Sequence, residues 1–155
     1  EGPEPGRPES ASGASGTRVL GNPLLVKELV RNLVDNAILY TPEGGTVTVR
    51  VFNDPFGQVS VLQVEDSGPG IPQAERELVF QPFYRALGTD VDGSGLGLAI
   101  VREIGQQHNA VIAIEDARWS GDGSPRGTRV TVRFPAVTHN AEPAAGPVTA
   151  NEVHP

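Results

Sequence analysis

Three short stretches carry residue types whose spacing suits ligand chemistry. Gly93-Ser94-Gly95-Leu96-Gly97-Leu98 sets three glycines at alternate positions and runs on into Ala99, Ile100 and Val101. Glycine lets a backbone approach a ligand closely. The first turn of the helix predicted after it offers unpaired N–H groups and a positive dipole end, a ready-made anion site. A plain loop leading into a buried helix reads the same way, so this stretch gains its weight from the other two. Asp66-Ser67-Gly68-Pro69-Gly70-Ile71 puts a carboxylate at a strand end beside exposed backbone, with a simple Asp-led turn as the alternative. Glu28, Asn32 and Asn36 follow an i, i+4 spacing and share one helix face. Such a face can be merely solvated. Asn is a poor helix former, however, because its amide competes for backbone hydrogen bonds. Two of them inside an otherwise apolar helix is a cost that a ligand site explains.

The elements that must hold these residues follow from apolar periodicity. Asn22-Pro23 reads as a helix start, Asn as N-cap and Pro at the first helical position. The helix runs to Tyr40, with Leu25, Leu29, Leu33 and Ala37 on one stripe flanked by Val26, Val30 and Val34. Thr41-Pro42 stops it. Residues 46–52 alternate as a half-buried strand, 53–57 turn, and 59–64 return. Residues 73–80 are predicted as a short amphipathic helix, 86–93 as a loop of the kind that serves as a lid, and Leu96 to His108 as a second long helix. Residues 110–115 and 128–134 read as strands joined by a polar loop over 118–127, and 17–20 as a short edge strand. The order predicts an α+β, two-layer sandwich: one mixed sheet covered on one face by helices. Residues 1–16 and 136–155, rich in Gly, Pro, Ala, Ser and Thr without periodicity, read as disordered linker and tail around a domain over 17–135.

Composition narrows the function. The 155 residues carry a formal net charge of −7, which opposes nucleic-acid binding because phosphate backbones need basic surfaces. Lys27 is the one lysine, and the arginines are scattered. With no cysteine, disulfides and thiolate metal sites are excluded, and the composition is compatible with a cytoplasmic location. No apolar run is long enough to span a bilayer and no signal-peptide pattern is present. The domain is expected to act in solution, or tethered through residues outside this chain.

Together the motifs resemble the catalytic and ATP-binding domain of sensor histidine kinases, within the gyrase, chaperone, kinase and MutL ATP-binding superfamily. Asn32-Leu33-Val34-Asp35-Asn36-Ala37 is similar to the N box, and Asp66 to Ile71 to the first glycine box. Phe80-Gln81-Pro82-Phe83-Tyr84-Arg85 is similar to the F box, and Gly93 to Leu98 to the second glycine box. Gly127-Thr128 is similar to the closing glycine-threonine. The resemblance runs from about Leu20 to Pro135, and it implies ATP and Mg²⁺ as cofactors. It gives Asp66 to the adenine 6-amino group, Asn36 to Mg²⁺ through its amide oxygen, and Asn32 to the metal and phosphates beside it. Tyr40 would lie against the base, with Gly68, Gly70 and Ile71 close to adenine and Thr128 beside the pocket. Gly93, Ser94, Gly95, Leu96, Gly97 and Leu98 would cradle the phosphates, Arg85 would meet them as a cation, and Phe83 would anchor the lid in the core.

Two departures from the family pattern and one substitution within it sharpen the reading. Hydrolysing branches carry a Glu one turn before the magnesium Asn as general base. Here that position is Asn32, whose amide cannot take a proton usefully, and Glu28 lies a further turn back. This favours a histidine kinase over an ATPase. Many members carry a Lys three residues after the magnesium Asn, where this chain has Leu39. None of His108, His139 or His154 sits in the context of a phospho-acceptor. The implied partners are therefore a dimerisation and histidine phosphotransfer domain outside this chain and a response regulator. The isolated domain is expected to be a monomer, and the parent an inner-membrane sensor. A stand-alone ATPase and a degenerate binding module are the rival readings.

Overall fold

Helix α1 (Pro23–Tyr40) begins where the sequence places it. Asn22 Oδ1 accepts from the Leu24 and Leu25 amides at 3.0 and 3.3 Å, and Pro23 occupies the first helical position, where a missing N–H costs nothing. The helix ends at Thr41, whose ψ of 122° is extended, as expected of a residue before proline. Leu29, Leu33 and Ala37, spaced by four, are buried. The computed structural model describes residues 17–56, 58–84, 95–119, 125–135 and 137, and the statements below concern those residues. The proposed linker over 1–16, nearly all of the proposed tail, and Arg85, Gly93 and Ser94 lie outside them.

Strands β1 (Val47–Asp54) and β2 (Val59–Asp66) form a hairpin in continuous register, Val47 opposite Asp66 and Asp54 opposite Val59. Helix α2 (Gly97–Gln107) leads into strands β3 (Val111–Trp119) and β4 (Pro125–Pro135), a second hairpin. The sheet order is β1-β2-β4-β3. Leu29, Leu33 and Ala37 of α1, Leu98, Val101 and Ile104 of α2, and Leu62, Val64, Val130, Val132 and Phe134 of the strands make one core, closed by Phe80. The helices lie on one face of the sheet, the two-layer α+β sandwich that the periodicity predicts.

The sheet corrects one expectation: every pairing is antiparallel, not mixed. The crossover through α2 does bring β3 back parallel to β2. Strand β4 then hairpins into the gap between them, pairing both β2 and β3, so no two parallel strands touch. Strand β1 is an edge, exposed at six of its eight residues, rather than half-buried. Residues 17–20 form no strand, although Val19 packs on the core and Ser60 Oγ donates to the Arg18 carbonyl at 2.9 Å. Residues 73–80 form two 3₁₀ turns (Gln73–Glu75 and Leu78–Phe80) instead of a helix, since so short a run does not repay α-helix nucleation. Strand β3 extends to Trp119 and β4 begins at Pro125, so Gly127-Thr128 lies inside a strand, not ahead of it.

Two polar ties hold neighbouring elements together within each layer. Glu65, on the sheet face away from the helices, accepts from Arg129 Nε at 2.6 Å and meets Arg50 at 2.8 Å. Burial would raise its carboxyl, but Arg129 and Arg50 more than offset that and hold it below the ordinary Glu range. His108, at the end of α2, lies with Nδ1 2.8 Å from the Ile104 carbonyl, and its Nε2 accepts from the Asn22 amide at 3.1 Å. It thereby joins the end of one helix to the start of the other.

Candidate functional site

Asp66 closes β2, opposite Val47 on one side and Thr128 on the other. Because side chains alternate along a strand, it leaves the sheet on the face of Val64, beneath the helices, and is only 8% exposed. Its Oδ1 accepts from the Gly68 amide at 2.9 Å and the Thr128 amide at 3.2 Å. No described protein donor reaches Oδ2. No buried side-chain polar atom among the described residues lacks a partner, so Oδ2 opens onto accessible space. Burial raises the Asp66 carboxyl above its ordinary value, and the two amide hydrogen bonds oppose that without cancelling it. A half-satisfied carboxylate held rigidly in a recess is an acceptor waiting for a donor.

The turn after Asp66 is held against both neighbouring elements. The Gly68 carbonyl accepts from the Gly127 amide at 2.9 Å, and a Cβ on Gly68 would come within 2.6 Å of the Tyr40 carbonyl at the end of α1. Gly127 has φ +75°, and any side chain there would collide with the Asp66 carbonyl. Only glycine satisfies both demands. Tyr40 and Ile71 are half-buried at this end of the sheet. The recess thus has Asp66 at its floor, with Thr128 buried beside it and the Gly68–Ile71 backbone as one rim.

Asn32 and Asn36 stand one turn apart on α1, both half-buried. Asn32 Nδ2 donates to the Glu28 carbonyl at 2.8 Å and to Glu28 Oε1 at 3.2 Å. That fixes the amide with Oδ1 turned away, toward the start of α2, where a Cβ on Gly97 would lie 3.5 Å from it. Asn36 has no hydrogen bond to its side chain among the described residues. Helix α2 begins at Gly97, and its N-cap residue, Leu96, supplies no side-chain cap. The Asn32 amide oxygen and the start of α2 therefore lie side by side, with Asn36 one turn further along α1.

Other predicted residues fall differently. Phe83 does not anchor in the core: it is 73% exposed, with φ 64°. Phe80 takes the buried place instead, with the Arg102 guanidinium 4.8 Å above its ring. Phe83 contributes through its backbone, its amide donating to the Gly95 carbonyl at 2.9 Å. Gly95 is itself at φ +71°, with no room for a Cβ beside the Phe83 Cα. Leu98 is a core residue, so only its backbone can serve the site, while Leu96 is half-buried at the N-cap. One residue was missed. Arg76, in the first 3₁₀ turn region, donates from Nε to the Ile71 carbonyl at 3.1 Å and from Nη2 to Asp116 Oδ1 at 2.8 Å. Its partner lies 40 residues away, and nothing in the local sequence marks it.

An antiparallel sheet under helices, with a recessed strand-end carboxylate framed by glycine turns and an asparagine-bearing helix, defines an ATP-binding domain of the sensor-kinase type. The chain belongs to the family described as histidine kinase-, DNA gyrase B-, and HSP90-like ATPase, which matches residues 21–138. It is 43% identical over 122 residues to the signal transduction histidine-protein kinase/phosphatase MprB of Mycobacterium sp. (strain KMS), covering 77% of this chain and 23% of that protein. Its identity to MprB of Mycobacterium tuberculosis (strain CDC 1551 / Oshkosh) is 40% over 121 residues, with the same coverage. The chain thus spans about a quarter of the length of the curated relatives it matches. Among solved structures, a mycobacterial sensor histidine kinase MprB superposes with a TM-score of 0.68 at 36% identity, over 76% of each chain. The catalytic domain of histidine kinase ThkA, in a nucleotide-free form, gives 0.63 at 29%, over 77% of this chain and 71% of that one. Among the described residues no helix is long and apolar enough to cross a membrane.

Proposed function

We propose that this domain binds Mg·ATP and presents its γ-phosphate to a histidine on a separate helical dimerisation domain, from which an aspartate of a response regulator receives it. The observation that carries the reading is Asp66: a buried carboxylate with one oxygen pinned by two amides and the other open. Oδ2 accepts from the adenine 6-amino group, and guanine, with a carbonyl there, meets repulsion. Tyr40, Gly68, Gly70 and Ile71 surround the base, with Thr128 beside Asp66. The Gly95–Gly97 backbone at the start of α2 receives the phosphates, and the motif resemblance gives Arg85, Gly93 and Ser94 to the same group. Among the described residues no group of three His, Cys, Asp or Glu could hold a metal. A free amide oxygen on Asn36 suits a Mg²⁺ that arrives with the nucleotide and keeps phosphate oxygens and water as its other ligands. Asn32 acts beside it, oriented by Glu28.

Two features favour transfer to an external histidine. Asn32 stands where a hydrolysing enzyme needs a general base. His108 has both ring nitrogens bonded within the domain, so it is no acceptor. The rest of the chemistry is positioning and charge neutralisation. In the parent protein, a membrane anchor would lie outside this chain.

The test is a calorimetric titration of Mg·ATP, with Mg·GTP as comparator. Adenine-selective binding that loses its Mg²⁺ dependence in Asn36→Ala is expected. Labelled phosphate should then pass from γ-labelled ATP to a separately made histidine-bearing domain. Absence of heat with either nucleotide at high concentration would move the degenerate binding module ahead.

A further inference from the structure

We infer that Arg76, paired with Asp116, is a positioning residue for the base-binding turn and a determinant of adenine selectivity. The inference rests on the nucleotide-site reading above. The first half of the turn is fixed by β4, through Gly127 to Gly68 and Thr128 to Asp66. The second half is not. Among the described residues the only hydrogen bond to the Ile71 backbone comes from Arg76 Nε, at 3.1 Å. The same guanidinium reaches β3 twice, at the Ile114 carbonyl (3.4 Å) and at Asp116 Oδ1 (2.8 Å). Three acceptors from two separated segments thus converge on one planar fork, which a lysine's point charge cannot reproduce.

Asp116 explains why the tie carries a charge. It pairs with Thr128, which pairs with Asp66, so the two carboxylates stand in one cross-strand row on the helix-covered face. Their backbones are roughly 10 Å apart by strand spacing. Left bare, Asp116 would repel both Asp66 and an anionic ligand. Arg76 neutralises it, and both side chains are only 23% exposed. Arg76 therefore holds the far rim of the recess while keeping a second negative charge from acting on its floor.

The test compares Mg·ATP and Mg·GTP titrations of the full chain with those of Arg76→Ala, Arg76→Lys and Asp116→Asn, alongside thermal melts and amide exchange. For Arg76→Ala the expected result is a Kd for ATP raised roughly tenfold, the loss of a charged hydrogen-bond tie. The ATP-over-GTP preference should shrink, and exchange at Gly70 and Ile71 should quicken while Gly68, β2 and β4 stay protected. Arg76→Lys should fall between. A folded Arg76→Ala with unchanged ATP affinity and selectivity overturns the inference. So does a fall in affinity that leaves both the ATP/GTP ratio and turn exchange untouched, since that is charge acting at a distance. Should Arg76→Ala not fold, Arg76→Lys decides, and wild-type selectivity in it overturns the inference. A wild-type chain that binds neither nucleotide defeats the nucleotide reading first, and this inference with it.

Discussion

Asp66 concentrates the conflict between stability and function at a single side chain. Its raised pKa means that its contribution to the stability of the free protein is complete below the ordinary value of 3.8 and is lost as pH rises through the raised one. At neutral pH the buried charge is thus a cost, justified by binding. Asp66→Asn keeps an oxygen to accept from Gly68 and Thr128 but turns an NH₂ toward the recess. Melting should show the apo variant as stable as wild type or more so, while ATP titration shows no binding. The wild-type affinity should fall on acidification from above the ordinary Asp range, because a protonated Oδ2 would meet the adenine amino group donor to donor; an affinity flat from pH 7 to 4 would count against the assignment. Leu39 is the complementary case. It is 42% exposed, so Leu39→Lys disturbs little packing. It should tighten Mg·ATP several-fold at low salt, an advantage that added NaCl erodes; an unchanged Kd would mean the side chain does not reach the phosphates.

At the scale of elements, the site is a junction of strand ends and helix ends, and its tightest point is the contact between β2 and β4. Gly127 sits in β4 at positive φ with the Asp66 carbonyl where a Cβ would be. Gly127→Ala should cost at least about 2 kcal/mol, from the left-handed backbone and the clash together. The melting temperature should drop by roughly 5–10 °C, and ATP affinity should fall with it because the Thr128 amide moves off Asp66. A melt within a degree of wild type would show that the strands can part there without loss. The Gly127-Thr128 pair was readable in the chain as a family feature. Its place inside a strand was not, because the register that opposes Thr128 to Asp66 is a tertiary fact.

For the whole molecule, binding and folding share one core. Leu29 is fully buried between the helices and the sheet, and it lies one turn before Asn32 and two before Asn36. Leu29→Ala should cost about 2–5 kcal/mol, transfer and cavity together. Saturating Mg·ATP should restore part of that, since a ligand at a hundredfold over its Kd adds about 2.7 kcal/mol to the native state. Differential scanning fluorimetry with and without nucleotide reads both effects. A Leu29→Ala melt that nucleotide does not raise, in a variant that still binds, would separate the core from the site.

The chain alone specified the bounds and the buried stripe of its first helix and the motifs of its family. Asn22-Pro23 and Thr41-Pro42 bound α1 because capping and proline geometry act within a few residues. The spacing of Leu29, Leu33 and Ala37 named the buried stripe, and the collinear motifs named the nucleotide. Only the tertiary structure decided what depends on distant partners. It threaded β4 between β2 and β3 and made the sheet wholly antiparallel. It exposed Phe83 and buried Phe80, a choice made by the packing of α2 rather than by residue type. It also set Arg76 between Ile71 and Asp116, where a cation in an unremarkable turn acquires its role from a strand 40 residues away. Hydrophobic periodicity and caps are local and survive in one dimension. Register, burial and long-range ion pairs exist only once the chain has closed on itself.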